Sequence, residues 1–462
     1  MKYYYLLFIS ILFSCNNNIF KNKSIFIGGN IINPSSKFVL LYKNEEMIDT
    51  IFLDKENKFS QRFFDLSPGV YKLEHPPKNE SIFIEYGDSI WTRVNTADFN
   101  ASISFSGIGS GKNNYLIKNK NQIKNEISFL SSKYSLDPLI FSNIVDSLLN
   151  IKKQNWKKFD SVSQLSQLGK KITQSSYIHP YANRKERYYL IRGGSNIVKD
   201  KSNFLNFRKN LNYEEDELYS FEPYIKYLLS YINNIVINSN KNYSKIMSET
   251  IFNLNRLIVI DSTINSKKLR STLFRSIAYE ELINFKNHKN HKKFIDFFSK
   301  LRNGSENHIN EIKSLYNSIS LMQKGNKLPT IELEDTNFNK INSNLIFDNK
   351  PSVIYFWSQT QMNYFKNTNK VVKRFKKKYP NFRYIGICIQ PFNSLVLNFQ
   401  RDSGILSKDQ YAMINFENGS KKWVLTLLNK GLIIDENQTI KEGFGVFTST
   451  NFESILQKFH KN

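Results

Sequence analysis

Only two cysteines, Cys15 and Cys388, occur in the 462 residues. Cys15 falls in the leader, so the folded body keeps one thiol. That body cannot close a disulfide on itself, and it cannot supply a zinc site that needs two or more cysteines. Acidic residues are also short: 40 stand against 65 Lys and Arg, for a formal charge of +25. Such an excess suits nucleic acid or an anionic membrane. No RNA- or DNA-binding signature accompanies it, and lysine is spread along every segment together with Asn and Ile. An AT-rich genome produces that bias by itself, so nucleic acid is excluded as a partner. The HExxH metal motif is missing, and no Ser/His/Asp order or carboxylate pair stands out. What is present is apolar bulk, 40% hydrophobic and 14% aromatic, enough to bury real cores. The length suits about two to four domains.

The leader reads MKYYYLLFISILFSC. Lys2 precedes an apolar run over residues 3–13, shorter than the ~20 residues that span a bilayer. It suits the hydrophobic core of a secretory signal, so residues 1–15 are read as a signal peptide. Leu12-Phe13-Ser14-Cys15 resembles a bacterial lipobox, with Cys15 the lipidated mature N-terminus and Asn16-Asn17-Asn18 the start of a polar tether. Buried acyl chains anchor well, at about 0.8 kcal/mol per methylene. The expected location is the cell envelope, lipid-anchored at the outer membrane or a periplasmic face.

Residues 23–107 alternate apolar and polar over short runs: 24–32, 37–42, 47–53, 58–64, 69–74, 81–86 and 89–94. Turn residues separate them, as in Asn33-Pro34-Ser35 and Tyr86-Gly87-Asp88. This predicts a small all-β sandwich with Phe59, Phe63, Val70, Tyr71 and Leu73 in its core. Residues 106–112, SGIGSGK, look like a phosphate loop, but the spacing is wrong and Asn113 follows Lys112. They are read as a flexible exit. Gly28, Ile48-Asp49, Lys58-Phe59, Gly69-x-Tyr71 and Gly87-Asp88-Ser89-Ile90 resemble the β domain that often precedes TlpA-like domains in Bacteroidetes lipoproteins. That resemblance implies no reaction.

Over residues 113–325 Gly and Pro become rare and helical spacing takes over. Helices are predicted at 114–133, 138–159, 213–237, 243–259, 267–285, 291–298 and 305–322, with Pro223 kinking or splitting the third. This is an α-helical middle domain. His288 and His291, three apart, lack the further ligands of a metal site and sit among lysines, so they are read as solvated. His179-Pro180-Tyr181 with Arg184 and Arg187 is read as a helix–helix connector rather than a loop for an acidic group.

The last segment, 326–462, centres on PSVIYFWSQTQMNY, residues 351–364. Residues 353–357 suit a strand buried on both faces, and 362–379 a helix with apolar Tyr364, Phe365, Val371, Val372 and Phe375. Further strands are read at 383–389 and 431–435, a helix start at 394–401, and a closing helix at 451–459. A strand ending in Phe356-Trp357 and running into a helix resembles the active-site edge of TlpA-like thioredoxin-fold thiol-disulfide oxidoreductases. The resemblance implies a C-terminal α/β thioredoxin-like domain. It also implies that Cys-x-x-Cys would fall at Gln361, Met362, Asn363 and Tyr364, and that the facing cis-proline would fall at Asn429. None of these matches. Disulfide exchange needs a thiolate of low pKa and a resolving thiol, which Gln361 and Tyr364 cannot give. Cys388, alone in an apolar strand, is read as a buried small hydrophobe. The basic run Lys373-Arg374-Phe375-Lys376-Lys377-Lys378 is read as a solvated helix end that complements the macrodipole.

The sequence thus predicts a multidomain lipoprotein with a degenerate redox site and no cofactor or metal. Its expected role is non-catalytic. A cleft beside Phe356, Trp357, Gln361, Tyr364 and Asn429 is expected to hold an extended peptide or an envelope protein. Two alternatives stand beside it: an oxidoreductase acting through Cys388 or a partner's cysteines, and a structural spacer of the envelope.

Overall fold

The computed structural model describes residues 23–44, 46–192, 201–238, 250–285, 288–301, 306–359, 361–392, 397 and 409–460. The leader with Cys15, and most of 394–401, lie outside these described residues.

The chain first builds two four-stranded sheets. One has the order β4 (Lys58–Phe63), β1 (Ile25–Ile32), β7 (Ser89–Asn95), β8 (Ser104–Ile108). The other has β3 (Glu46–Phe52), β2 (Phe38–Lys43), β5 (Gly69–His75), β6 (Lys78–Ile84). Only β1 and β7 pair in parallel; the remaining ladders are antiparallel. Alternation sends Ile27, Leu41, Phe59, Tyr71, Ile82 and Ile90 inward from both sheets into one core.

The segment read as a flexible exit is instead a fixed junction. Residues up to Ile108 form β8, and α1 (Ser110–Ser132) starts two residues later. Gly109 turns the chain at φ 83°, and a Cβ there would lie 2.1 Å from Asp88 Oδ1, so only glycine fits. Lys112 is buried, with its ammonium 2.7 Å from Glu85 and 2.8 Å from Asp88. Its charge is therefore engaged within the fold rather than free for phosphate. Asn113 grips both backbone groups of Phe83, at 2.7 and 2.9 Å, and Asn114 does the same to Phe105, at 3.0 and 2.7 Å. These contacts tie α1 to both sheets.

The middle continues with α2 (Pro138–Ser163), α3 (Gln167–Ile191), α4 (Glu222–Asn238), α5 (Thr250–Thr263), α6 (Lys267–Leu282), α7 (His288–Phe298) and α8 (Glu306–Leu321). Three expectations change. First, the connector expected around Pro180 is a 25-residue helix, α3, with Pro180 inside it. Interior proline costs about 3 kcal/mol, but α3 buries Tyr177, Tyr181, Tyr188 and Tyr189. At about 1.5–3 kcal/mol for each large side chain, burial wins. His179 is buried within α3, held 2.7 Å from Ser175 Oγ and packed on Tyr224 and Tyr227, and burial lowers its pKa to about 4. It is not available to an acidic ligand. Second, His291 is buried rather than solvated, because His291, Phe294, Ile295 and Phe298 make the inward stripe of α7. Third, the helix read over 213–237 is split rather than kinked: a 3-10 turn, Asp216–Leu218, precedes α4, and Pro223 falls in the first turn of α4, where its missing N–H costs nothing.

A seven-stranded sheet closes the chain, in the order β10 (Lys340–Asn342), β9 (Glu332–Glu334), β13 (Gln410–Met413), β12 (Arg383–Cys388), β11 (Ser352–Trp357), β14 (Lys430–Ile434), β15 (Ile440–Val446). Here α9 (Met362–Lys378) links parallel β11 and β12, and α11 (Thr450–His460) follows the antiparallel β14–β15 hairpin. This βαβ unit followed by ββα, in the order β12-β11-β14-β15, is a thioredoxin-like arrangement. β13 and α10 (Phe416–Lys422) are additions that the sequence pattern does not announce. One face of the sheet shares its core with the middle helices, through Phe356, Ile354 and Leu432. The other packs α9 and α11 through Trp357, Phe365 and Phe452. No helix among the described residues is long and apolar enough to cross a membrane.

Candidate functional site

β11 is buried along its whole length, because five of its six residues, Val353–Trp357 in sequence, are large and apolar and lie between two cores. It ends where β12 ends, and the turn to α9 crosses the carboxyl edge of the sheet. Crevices at such edges are where open α/β sheets hold ligands.

A polar network, buried at Gln390 and Ser358 and open to solvent at the Gln359 side chain, braces this turn. Gln390 Nε2 donates to Ser358 Oγ at 2.9 Å, and Gln390 Oε1 accepts the Gln359 backbone N–H at 3.0 Å. Gln359 Nε2 donates to the Pro391 carbonyl at 2.5 Å. Beneath the turn, Trp357 Nε1 donates to Gln410 Oε1 at 3.0 Å, and Gln410 Nε2 donates to the Tyr355 hydroxyl at 2.8 Å. Trp357 also stacks on Phe365, with ring centres 4.1 Å apart. Gln390 and Gln410 are absent from the residues that the sequence singles out. Gln390 lies in the bend just past β12 and Gln410 starts β13, and no local pattern marks either.

The residues expected to line a cleft do not share one surface. Phe356 and Trp357 point to opposite faces of β11, Phe356 against Trp423 at 6.1 Å, and both are fully buried. Gln361 and Asn363 are exposed at the start of α9, Met362 is its first residue, and Tyr364 is half-buried. The Tyr364 hydroxyl donates to the Leu428 carbonyl at 3.2 Å. Tyr364 therefore ties the helix start to the loop that carries Asn429. The half-buried Asn429 in turn accepts the Phe447 N–H at 2.7 Å.

Cys388 lies at the end of β12, opposite Trp357 and Ala412. It has no exposed surface, its Sγ is 3.5 Å from Gln390 Oε1, and burial pushes its thiol up to about 12. The thiol is therefore neutral across the physiological range, the reverse of what an attacking thiolate needs. The basic end of α9 is partly paired: Lys378 and Arg374 reach Glu453 of α11 at 2.6 and 3.2 Å. Among the described residues no group of His, Cys, Asp and Glu is placed to hold a metal ion.

No family model matches the chain, and no curated protein matches it in sequence. Solved structures do match. A thiol-disulfide oxidoreductase from Bacteroides fragilis is 18% identical over 29% of this chain and 98% of its own, with a TM-score of 0.25. The thioredoxin domain of a thiol-disulfide oxidoreductase from Bacteroides vulgatus is 17% identical over 30% of this chain and 97% of its own, with a TM-score of 0.24. A thioredoxin-like protein from Bacteroides caccae is 11% identical over 60% of this chain and 93% of its own, with a TM-score of 0.33.

Proposed function

We propose that this is a lipid-anchored envelope protein in which a β-sandwich and a helical domain carry a thioredoxin-like domain that no longer exchanges disulfides. Its role is to bind or brace a peptide or protein partner. The observation that carries the reading is Tyr364. It stands where the resemblance puts the second exchange cysteine, and its hydroxyl is bonded to the Leu428 carbonyl. The one body thiol, on Cys388, is sealed beneath the same turn.

The test is dithiothreitol-driven reduction of insulin by the full mature chain, run beside native thiol labelling. The expected result is the uncatalysed rate, with Cys388 labelled only after denaturation. Catalysis abolished by Cys388→Ser would overturn the reading. Anchoring is tested separately: detergent-phase partitioning should be lost in Cys15→Ser, and an unchanged partition would remove the lipid from the account.

A second reading, a rigid envelope spacer, is favoured by one feature. A single apolar core runs from Val70 and Phe83 of the first sheets, through the middle helices, to Phe356. A spacer should keep its phenotype when Tyr364 and its neighbours at the α9 start are replaced.

A further inference from the structure

A cavity of about 1150 Å³ opens in the helical domain between α2, α3 and residues 203–211. It exceeds the ~300–1,000 Å³ of most small-molecule pockets. Its charged groups are largely spent on the fold. Lys185 is buried and meets both oxygens of Asp146 at 2.8 Å, and Asp137 Oδ1 accepts the Leu139 N–H that starts α2. Lys153 stands exposed at the rim. Ser142 is bonded to Asp146, and the rest of the polar wall is amide, from Asn143, Asn150, Gln174, Asn203, Asn206 and Asn210. Among them sits Tyr177, only 2% exposed, with a hydroxyl that meets no hydrogen-bond partner among the described residues. Burial pushes that hydroxyl up to about 12, so it stays a neutral donor.

We propose that this cavity binds an extended polypeptide segment through its backbone, with apolar side chains seated on Leu139, Ile178 and Phe207. A primary amide both donates and accepts, which matches the N–H and C=O of one extended residue. The chain does this twice inside itself, where Asn113 grips Phe83 and Asn114 grips Phe105. The walls also disfavour a sugar, which needs an open aromatic face. Tyr177 and Phe204 are buried, and the Lys185 ammonium lies 5.3 Å from the centre of the Phe207 ring. The inference stands apart from the thioredoxin-like edge and does not depend on it.

The experiment uses the full mature chain on an array of overlapping fifteen-residue peptides from an unfolded model protein, followed by titration with the strongest labelled peptide. Tyr177→Phe removes one hydroxyl without changing volume and should weaken binding about three- to tenfold. Asn206→Trp, at an exposed position, should fill the cavity and abolish binding while the melting curve is unchanged. Absence of peptide binding overturns the proposal, as does binding that Asn206→Trp does not affect. Loss only in Tyr364→Ala would move the site to the thioredoxin-like edge, ending this inference but not the proposed function. Pocket-dependent binding of maltohexaose without peptide binding would make the ligand a glycan and overturn it as well.

Discussion

The ammonium of Lys430 sits 2.6 Å from the carbonyl of Trp423, deep in the thioredoxin-like domain. It also donates to the Val424 carbonyl at 3.0 Å and lies 4.8 Å from the centre of the Phe444 ring. Val424 has φ 48°, a left-handed conformation that a β-branched residue rarely adopts. Lys430 thus pins the strained turn that ends α10, one residue beyond Asn429. It occupies the inner side of the loop whose outer side Tyr364 holds.

Burial brings the Lys430 pKa down to about 7, opposed by the nearby carboxylate of Glu442. An unfolded lysine titrates near 10.4. Between these values the unfolded chain holds a proton that the folded chain does not. Stability therefore rises with pH through that window, by up to about 1.4 kcal/mol per pH unit, and its contribution is flat below it. Urea unfolding at pH 7 and pH 9 should show this rise in the parent and a smaller one in Lys430→Met. Equal slopes in the two would mean that Lys430 stays charged throughout.

Asn113 is the residue on which the β–α junction turns. Asn113→Ala leaves the buried N–H and C=O of Phe83 unpaired, at a cost on the order of 1–3 kcal/mol for each. Asn114→Ala exposes the same pair on Phe105, closer to solvent, and should cost less. The measurement is the urea midpoint of each variant. An Asn113→Ala loss below that of an ordinary surface change, about 0.5 kcal/mol, would show that water replaces the amide.

These elements show what the sequence could and could not reveal. Period-two alternation in the first hundred residues and the Phe356-Trp357 strand end mark the sheets and the edge where β11 runs into α9, because both signals are local. The apolar strand around Cys388 likewise announced a buried thiol. Helix α3 was hidden because Pro180 speaks against a helix locally, while the tyrosines that override it are buried by other helices. Residues 106–112 looked loose because glycine dominates them; Lys112 and Asn113 fix them through partners about thirty residues back. β13 is four residues long, and α10 carries Asn418 and Gly419, so neither shows a period. Gln390 bridges the segments that follow β12 and β11, Gln410 bridges β13 to β11, and neither has a sequence signal.

If only the thiols are missing from the α9 start, returning them should return the chemistry. The double variant Gln361→Cys/Tyr364→Cys places two cysteines across the first turn of α9, where a helix N-terminus lowers a thiol pKa. The expected outcome is a disulfide that forms in air, shown by the loss of two titratable thiols, and insulin reduction above background. Cys388→Ser added to the pair should change neither. Two thiols that remain reduced would mean that Tyr364 and its bond to Leu428 set a geometry in which the pair cannot close.

The last prediction concerns acid. Ser35 N–H donates to His75 Nε2 at 2.9 Å, so that nitrogen must accept, and Nδ1 faces the Phe38 carbonyl at 3.0 Å and must donate. A proton on Nε2 would set one N–H against another. Burial lowers His75 to about 4, and His179 among Tyr224 and Tyr227 to about 4 as well. Both are depressed below the ordinary 6.5, so from pH 6.5 down to 4 the unfolded chain takes up protons that the folded chain refuses. Stability should fall across that window, by up to about 1.4 kcal/mol per pH unit for each histidine. Asp88 and Glu334, whose carboxyls burial raises, act in the opposite sense, so the variant comparison carries the test. His179→Phe keeps the aromatic packing and removes one titration. The slope of unfolding free energy between pH 6.5 and 4.5 should drop by the share of one histidine, while His75 and His291, also lowered by burial, keep theirs. An unchanged slope would mean that His179 is protonated in the folded protein, and that the pocket formed by Ser175, Tyr224 and Tyr227 stabilises a cation.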